Sequence, residues 1–490
     1  MNHDPKRGTP HSRRLLVLAL ALVAGAATSR AGESVPEKAR PNVLFLFSDD
    51  QRADTVAALG NAHIRTPNVD ALVARGTSLN RAYCMGSPHG AVCAPSRAML
   101  MSGRGLFHVK EDLDGQATWP QAFGKAGYST FATGKWHNQA PSLLKSFQAG
   151  KALFLGGMGD PYHLPVQDIS PEHTLVNKRF TGEHSVKVFA DAASEFLAAQ
   201  DGKVPFVCYV AFNFPHDPRV APLAYRDRYD EATLPLPANY LPVHPFDNGD
   251  MAGRDERLAP WPRTPELIQH HLADYYASIE FVDAQVGRIL GALKASGQLE
   301  NTLIVYASDH GLAIGSHGLM GKQSLYDHSM HSPVILAGPG IPQGKRIDAL
   351  TYLYDLFPTL GELAGVSGPE GSEGLSLVPV LEGREPTRRN SIFTAFAKVQ
   401  RAVRDDRWKL IAYTQVNKSQ LFDLQADPSE LQDLSADPSH ADDLARMTAL
   451  LVDSQARAGD TLPLIVASPG PLMFDFDKAR HAAPSKKGGH

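Results

Sequence analysis

The sequence predicts an α/β protein with a large mixed, mainly parallel sheet sandwiched by helices and a smaller C-terminal subdomain carrying an antiparallel sheet. Three observations predict it. From residue 41 onward, short β-branched or aromatic runs alternate with helical stretches, as in a sheet covered on both faces. Four of these runs end abruptly in polar residues that have no obvious structural duty. Beyond Pro386 the runs become short and closely spaced, which suits a small antiparallel sheet. Length and composition agree: 490 residues, 43% apolar and 20% charged, supply ample core and exclude a disordered chain. Lys+Arg number 48 against 52 Asp+Glu, a formal net charge of −4, which excludes a dedicated nucleic-acid binder. Cysteine is confined to Cys84, Cys93 and Cys208, so at most one pair can form, and whether Cys84 and Cys208 pair is left open.

The chain opens with an address. Lys6, Arg7, Arg13 and Arg14 precede the apolar run Leu15 to Ala27, and Ser29-Arg30-Ala31 offers small residues for cleavage before Gly32. The run is short of the ~20 residues that span a bilayer. Residues 1–31 are therefore expected to be a signal peptide, leaning towards the twin-arginine route, with the mature protein periplasmic or secreted. No later stretch is long and apolar enough to cross a membrane.

Next come the four strands: Asn42 to Phe47, Tyr128 to Ala132, Phe206 to Phe212 and Thr302 to Ala307. They run directly into Ser48-Asp49-Asp50, Gly134-Lys135-Trp136-His137, Pro215-His216-Asp217 and Ser308-Asp309-His310-Gly311. In an open α/β sheet the carboxyl ends of the strands form the ligand crevice, so these clusters are expected to converge. Asp49, Asp50, Asp309 and His310 make a plausible set for a hard divalent cation, which would relieve repulsion among the carboxylates. Lys135, His137 and His216 supply positive charge and protons.

Between the first two strands, Cys93-Ala94-Pro95-Ser96-Arg97 follows the loop Gly86-Ser-Pro-His-Gly90 and opens a helix through Met101. Pro95 suits a first turn, and the aligned N–H groups there favour an anion. A cysteine in that place gains from the helix dipole, and Arg97 offers a fork for a tetrahedral oxyanion, so the residues read as a nucleophile at an anion site.

Taken together, Cys93-x-Pro-Ser-Arg97, Asp49-Asp50, Gly134-Lys-Trp-His137, Pro215-His216-Asp217-Pro218 and Ser308-Asp309-His310-Gly311 resemble the ordered motifs of the type I, formylglycine-dependent sulfatases of the alkaline-phosphatase superfamily. The resemblance runs from Asn42 through Leu421-Phe-Asp-Leu424. It implies hydrolysis of a sulfate ester, through a formylglycine made from Cys93 by a maturation enzyme. It also implies a calcium ion held by Asp49, Asp50, Asp309 and His310 and touched by the modified Cys93. Arg97 and Lys135 would hold the hydrated aldehyde, His137 would assist breakdown of the sulfated intermediate, and Lys135, His216 and Lys322 would grip the sulfate. Many relatives carry Asn where this chain has His310, which leaves the choice between calcium and another divalent metal open.

The chemistry asks for these groups. A divalent ion with Arg97, Lys135 and Lys322 outweighs three carboxylates by two charges, about what a sulfate monoester and an ionised nucleophile bring. Of the two hydroxyls of a hydrated aldehyde, one attacks sulfur and the other later expels sulfate. His216 is favoured over His137 as the acid that protonates the leaving alcohol. His163, Asp217, Arg219 and His317 are candidates for contact with substrate, and the Pro-rich stretch Phe246 to Pro262 reads as a long loop near the mouth.

The expected organisation is a catalytic domain over 40–383, a subdomain over 384–465 and a tail over 466–490, disordered past Pro484. A helix-like stretch, Tyr354 to Leu363, precedes the break near Glu382-Gly-Arg-Glu-Pro386. Strands are expected at Ser391 to Ala397, Arg401 to Val403, Trp408 to Tyr413 and Gln420 to Leu424, with a helix from Ala441 to Ser454. The leading expectation is a sulfatase acting on a sulfated glycan. Rivals are a choline-sulfatase-like enzyme on a small sulfate ester, a phosphonate-monoester or phosphodiester hydrolase, and a non-catalytic glycan binder with Cys93 unmodified.

Overall fold

A computed structural model describes residues 40–368 and 371–481. The signal peptide expected at 1–31 and the tail past Pro484 lie outside these residues. Among the described residues a ten-stranded mixed sheet forms the centre of the molecule. Five neighbouring strands at its middle are parallel, in the order Thr302–Ser308, Asn42–Ser48, Phe206–Ala211, Ser129–Lys135 and Ala149–Phe154. Shorter antiparallel pairings flank them, through Val334–Ala337 on one side and Pro165–Ile169 with Leu175–Phe180 on the other. The fold is the α/β class that the alternation of runs predicts.

Alternation along Asn42–Ser48 shows why both faces need cover. Val43, Phe45 and Phe47 enter one core with Met99, Trp119 and Tyr209, while Leu44 and Leu46 enter a second with Phe189, Val282 and Val286. All five strand residues are fully buried, each contributing about 1.5–3 kcal/mol by leaving water. The helices Cys93–Ser102, Trp119–Lys125 and Leu356–Ala364 cover the first face. Pro67–Arg75, Ser185–Ala198 and the 31-residue Pro265–Ala295 cover the second.

Register does the work of convergence. Ser48 pairs with Ser308, Phe47 with Ala211, and Ala211 with Gly134, so the four polar clusters leave the sheet side by side at its carboxyl edge.

The C-terminal strands form their own antiparallel sheet, Lys418–Asp423, Trp408–Tyr413, Gln400–Arg404 and Ile392–Phe396, covered by the helix Ala441–Arg457. A fifth strand joins it from far upstream: Gly86–Ser87, seven residues before Cys93, pairs parallel with Ala395 and Phe396. Only glycine fits at position 86, because a Cβ there would stand 1.9 Å from the Ala395 carbonyl oxygen and φ is +105°. Cys84, Cys93 and Cys208 are all free thiols, which settles the pairing the sequence left open. No helix among the described residues is long and apolar enough to cross a membrane.

Candidate active site

Nine of the expected residues meet in one buried cluster: Asp49, Asp50, Cys93, Arg97, Lys135, His216, Asp309, His310 and Lys322. Its centre is the Cys93 thiol, at the first residue of its helix, with His310 Nε2 at 3.2 Å, Lys322 Nζ at 3.3 Å and Asp50 Oδ1 at 3.6 Å. Arg97, one turn along the same helix, points its guanidinium at the Asp309 carboxylate, with Nε and Nη2 at 3.2 and 3.1 Å, and at Asp49 Oδ1 at 3.7 Å. Lys135 Nζ donates to the other oxygen of Asp49. Lys322 Nζ donates to both oxygens of Asp50, at 2.8 and 3.0 Å. Asp309 in turn accepts the main-chain N–H of Asp50 at 3.0 Å and of His310 at 3.1 Å, so one carboxylate stitches the first strand end to the fourth.

Both imidazoles are oriented by carbonyls, which only accept. His310 Nδ1–H donates to Gly311 O at 2.9 Å, leaving its Nε2 lone pair aimed at the thiol. His216 Nδ1–H donates to Asp217 O at 2.8 Å and turns Nε2 towards Asp50 Oδ2, 3.8 Å away. Asp50 and His137 hold left-handed φ values of +65° and +71°, a strain that non-glycine residues keep where their surroundings over-determine it.

The field inside the cluster is uneven. Burial works to raise the Asp49 and Asp50 carboxyls, but Lys135 and Arg97 at Asp49, and His216 and Lys322 at Asp50, hold both below the usual carboxylate range. Burial works against the Lys322 ammonium, but Asp50, Cys93, Asp255 and Asp49 together outweigh it, raising that group well above its ordinary value. Burial, then Lys135 and Arg97, push the His137 imidazole far down, so it is neutral, and its Nδ1 is buried without a hydrogen-bond partner. The Cys93 thiol corrects the expectation drawn from the helix dipole: burial, with Asp49 adding, raises it well above its ordinary value.

The donor set fits a divalent cation. Asp50, Cys93 and His310 offer ligand atoms within 4.8 Å of one another, and Asp49, Cys93 and Asp309 do the same, the two triads sharing the sulfur. Asp49 Oδ1 is buried with no hydrogen-bond partner, as an oxygen reserved for a cation would be.

The four substrate candidates divide. Asp217 adjoins the cluster, forked by Arg254. Arg219 donates to Pro215 O at 3.1 Å and lies over Tyr275, whose hydroxyl donates to Asp50 O. His163 stacks on exposed Phe180 in the outermost strand, with ring centroids 3.7 Å apart. His317 is buried, stacked on Tyr326, with Nε2 bonded to Glu430 O at 2.9 Å and its pKa lowered by burial to about 4. It belongs to the contact with the C-terminal sheet.

Sequence reasoning missed Arg254, Asp255, Glu256, Gln323 and Tyr275. The loop Phe246 to Pro262 reads as weakly anchored because it has few apolar residues, yet Asp255 and Glu256 are buried in it and joined to the cluster.

Comparison with known proteins follows the same outline. The sulfatase family profile matches residues 41–366, and the profile described as N-sulphoglucosamine sulphohydrolase, C-terminal, matches 315–457. A sulfatase of Formosa agariphila is 28% identical over 442 residues, 79% of this chain and 82% of the relative. An N-acetylglucosamine-6-O-sulfatase of Bacteroides thetaiotaomicron is 26% identical over 522 residues, 91% and 92% of the two chains. A protein solved in complex with its substrate D-glucosamine-2-N,6-O-disulfate superposes with a TM-score of 0.74 at 23% identity, covering 87% of this chain and 99% of its own.

Proposed function

The chain belongs to the sulfatase family, and on that premise we propose that it hydrolyses the sulfate ester of a sulfated sugar through a formylglycine made from Cys93. Sulfuric ester hydrolysis is the chemistry its relatives are named for. One observation carries the finer reading: the sulfur of Cys93 is the point that two of the three candidate ligand triads and Lys322 share, in surroundings whose burial disfavours a thiolate. An aldehyde hydrate at that point would have what the thiol lacks, an ionisable hydroxyl facing the cations. The sugar is supported by the names of the glucosamine-sulfatase relative and of the substrate-bound structural neighbour.

Asp49, Asp50, Asp309 and His310 would hold calcium, which supplies charge that lowers the nucleophile's pKa and steadies the sulfuryl oxygens. The chain's own groups do the rest. Arg97 and Lys135, locked on Asp309 and Asp49, orient the hydrate. Lys322 and Lys135 grip the sulfuryl group. His216, with Nε2 3.8 Å from Asp50 Oδ2 and Nδ1 3.4 Å from Asp217 Oδ1, is the group placed to give a proton from Nε2 to the departing alcohol oxygen. Arg13 and Arg14 with the apolar run after them support an enzyme working outside the cytoplasm.

Two measurements test this together. Mass spectrometry of the Cys93 peptide from active protein is expected to show formylglycine, and a panel of sulfated mono- and disaccharides is expected to release sulfate, lost on chelation and restored by calcium. An unmodified thiol in active protein overturns the formylglycine. Turnover of an aryl phosphonate with none of any sulfate ester hands the site to the phosphonate-hydrolase reading.

A further inference from the structure

The loop after Gly311 brings Lys322 to the Cys93 cluster, and the turn after Phe214 brings His216. A third piece of chain holds both. Residues 242–263 form an excursion closed at its base, where Arg263 N–H donates to Pro242 O at 2.7 Å. Its middle carries Arg254 and the short 3-10 turn Asp255–Leu258. Three consecutive side chains there reach three parts of the site.

Glu256 is buried against the fully buried Arg263 at 2.8 Å, and its carboxylate accepts the main-chain N–H groups of Met320, at 3.0 and 3.1 Å, and Gly321, at 2.8 Å. These are the two residues before Lys322. Asp255 stands 3.9 Å from Lys322 Nζ and accepts Gln323 Nε2 at 2.8 Å. Arg254 donates to Asp255 Oδ1 at 2.6 Å and forks onto Asp217, whose main-chain oxygen orients His216. The fit at the loop is close: a Cβ on Gly321 would lie 2.7 Å from the Asp255 Cβ. Burying charged side chains costs several kcal/mol unless each is paired; Glu256 and Asp255 are paired within the loop, to Arg263 and Arg254, and each also reaches a catalytic element, Glu256 the main chain before Lys322 and Asp255 the Lys322 ammonium.

We propose that Arg254, Asp255 and Glu256 are positioning residues, a strap that fixes the ammonium of Lys322 and the imidazole of His216 relative to each other and so sets where the sulfuryl group sits. This rests on the reading that those two groups bind and protonate a sulfate ester. Displacing such groups by ~1 Å costs about a hundredfold in rate.

The test uses the matured enzyme with 4-nitrophenyl sulfate for turnover and, separately, calorimetric titration with inorganic sulfate. Asp255→Asn is expected to lower kcat/KM about tenfold to a hundredfold and to weaken sulfate binding several-fold at an unchanged thermal midpoint, with Asp255→Glu recovering part of both. Arg254→Gln, at a side chain 44% exposed, is expected to lower kcat and spare KM, since it acts through His216. Wild-type turnover and sulfate affinity in Asp255→Asn overturn the strap, as does a loss that only tracks a lower thermal midpoint with sulfate affinity intact. If Asp255→Asn fails to fold, Arg254→Gln decides, and an unchanged kcat overturns the strap. A wild-type enzyme that neither cleaves sulfate esters nor binds sulfate brings down the function itself, whereas variants matching a working wild type bring down the strap alone.

Discussion

Two of the buried clusters of charge among the described residues are built on opposite terms. Where the large domain meets the C-terminal sheet, Lys409 donates to Asp327 at 2.7 Å and to Glu430 at 2.6 Å. Glu430 also accepts the Asp327 N–H at 2.8 Å, Tyr83 donates to Asp327 at 2.9 Å, and Arg404 donates to Tyr83. Each of these groups is paired. The strand-end cluster leaves Asp49 Oδ1 buried without a hydrogen-bond partner. Backbone strain does not separate the two, since Glu430 at the junction is left-handed at φ +57° just as Asp50 is at +65°. A saturated cluster fixes a junction; one that keeps a buried acceptor in reserve is arranged for a ligand.

Substitutions can break this contrast. The largest expected effect is at Cys93: Cys93→Ala should lower turnover by about four orders of magnitude or more, with the thermal midpoint within a few degrees of wild type. A variant that kept its rate would remove the nucleophile from the working cluster. Next is Lys409→Met, which strands the buried Glu430 carboxylate and takes one partner from Asp327, and should cost about 3 kcal/mol in chemical denaturation, while kcat/KM of the folded protein stays near wild type. Loss of activity without loss of stability would mean the junction is not merely structural. The smallest effect is at Asp250, beside the strap, where burial, with Glu256 and Asp255 adding, pushes the carboxyl up to about 7. For an acid whose folded pKa is raised, stability is full below the unfolded value and is lost as pH rises towards the folded one. Asp250→Asn should therefore stabilise by about 1–2 kcal/mol at pH 8 and close to nothing at pH 4. Equal melting gains at both pH values would show that the carboxyl is ionised throughout.

The site was legible because its parts sit where continuous apolar runs stop. Asn42–Ser48 and Thr302–Ser308 are continuous apolar strands, and parallel pairing sends both Asp49 and Asp309 off the same edge. What stayed hidden has no such pattern. Pro165–Ile169 and Leu175–Phe180 are short, part-exposed strands at one end of the sheet, the second of them its edge, and both carry polar residues. The strap is anchored by carboxylates on main-chain N–H groups, and hydrophobic periodicity carries no trace of that bond. His317 has the setting of a pocket residue, six positions after Gly311, but its partner is a carbonyl 113 residues downstream. Pro265–Ala295 shows how tertiary cover completes a helix that motif reading passes over.

The two-residue strand Gly86–Ser87 sets a timetable for the newborn polypeptide. Its partners, Ile392–Phe396, leave the ribosome about 300 residues after Cys93, and until they arrive the segment leading to the thiol has no edge to lie along. In the finished fold Cys93 is 2% exposed. On the reading proposed above, conversion of Cys93 would have to come before that pairing, while the thiol is still within reach of another protein.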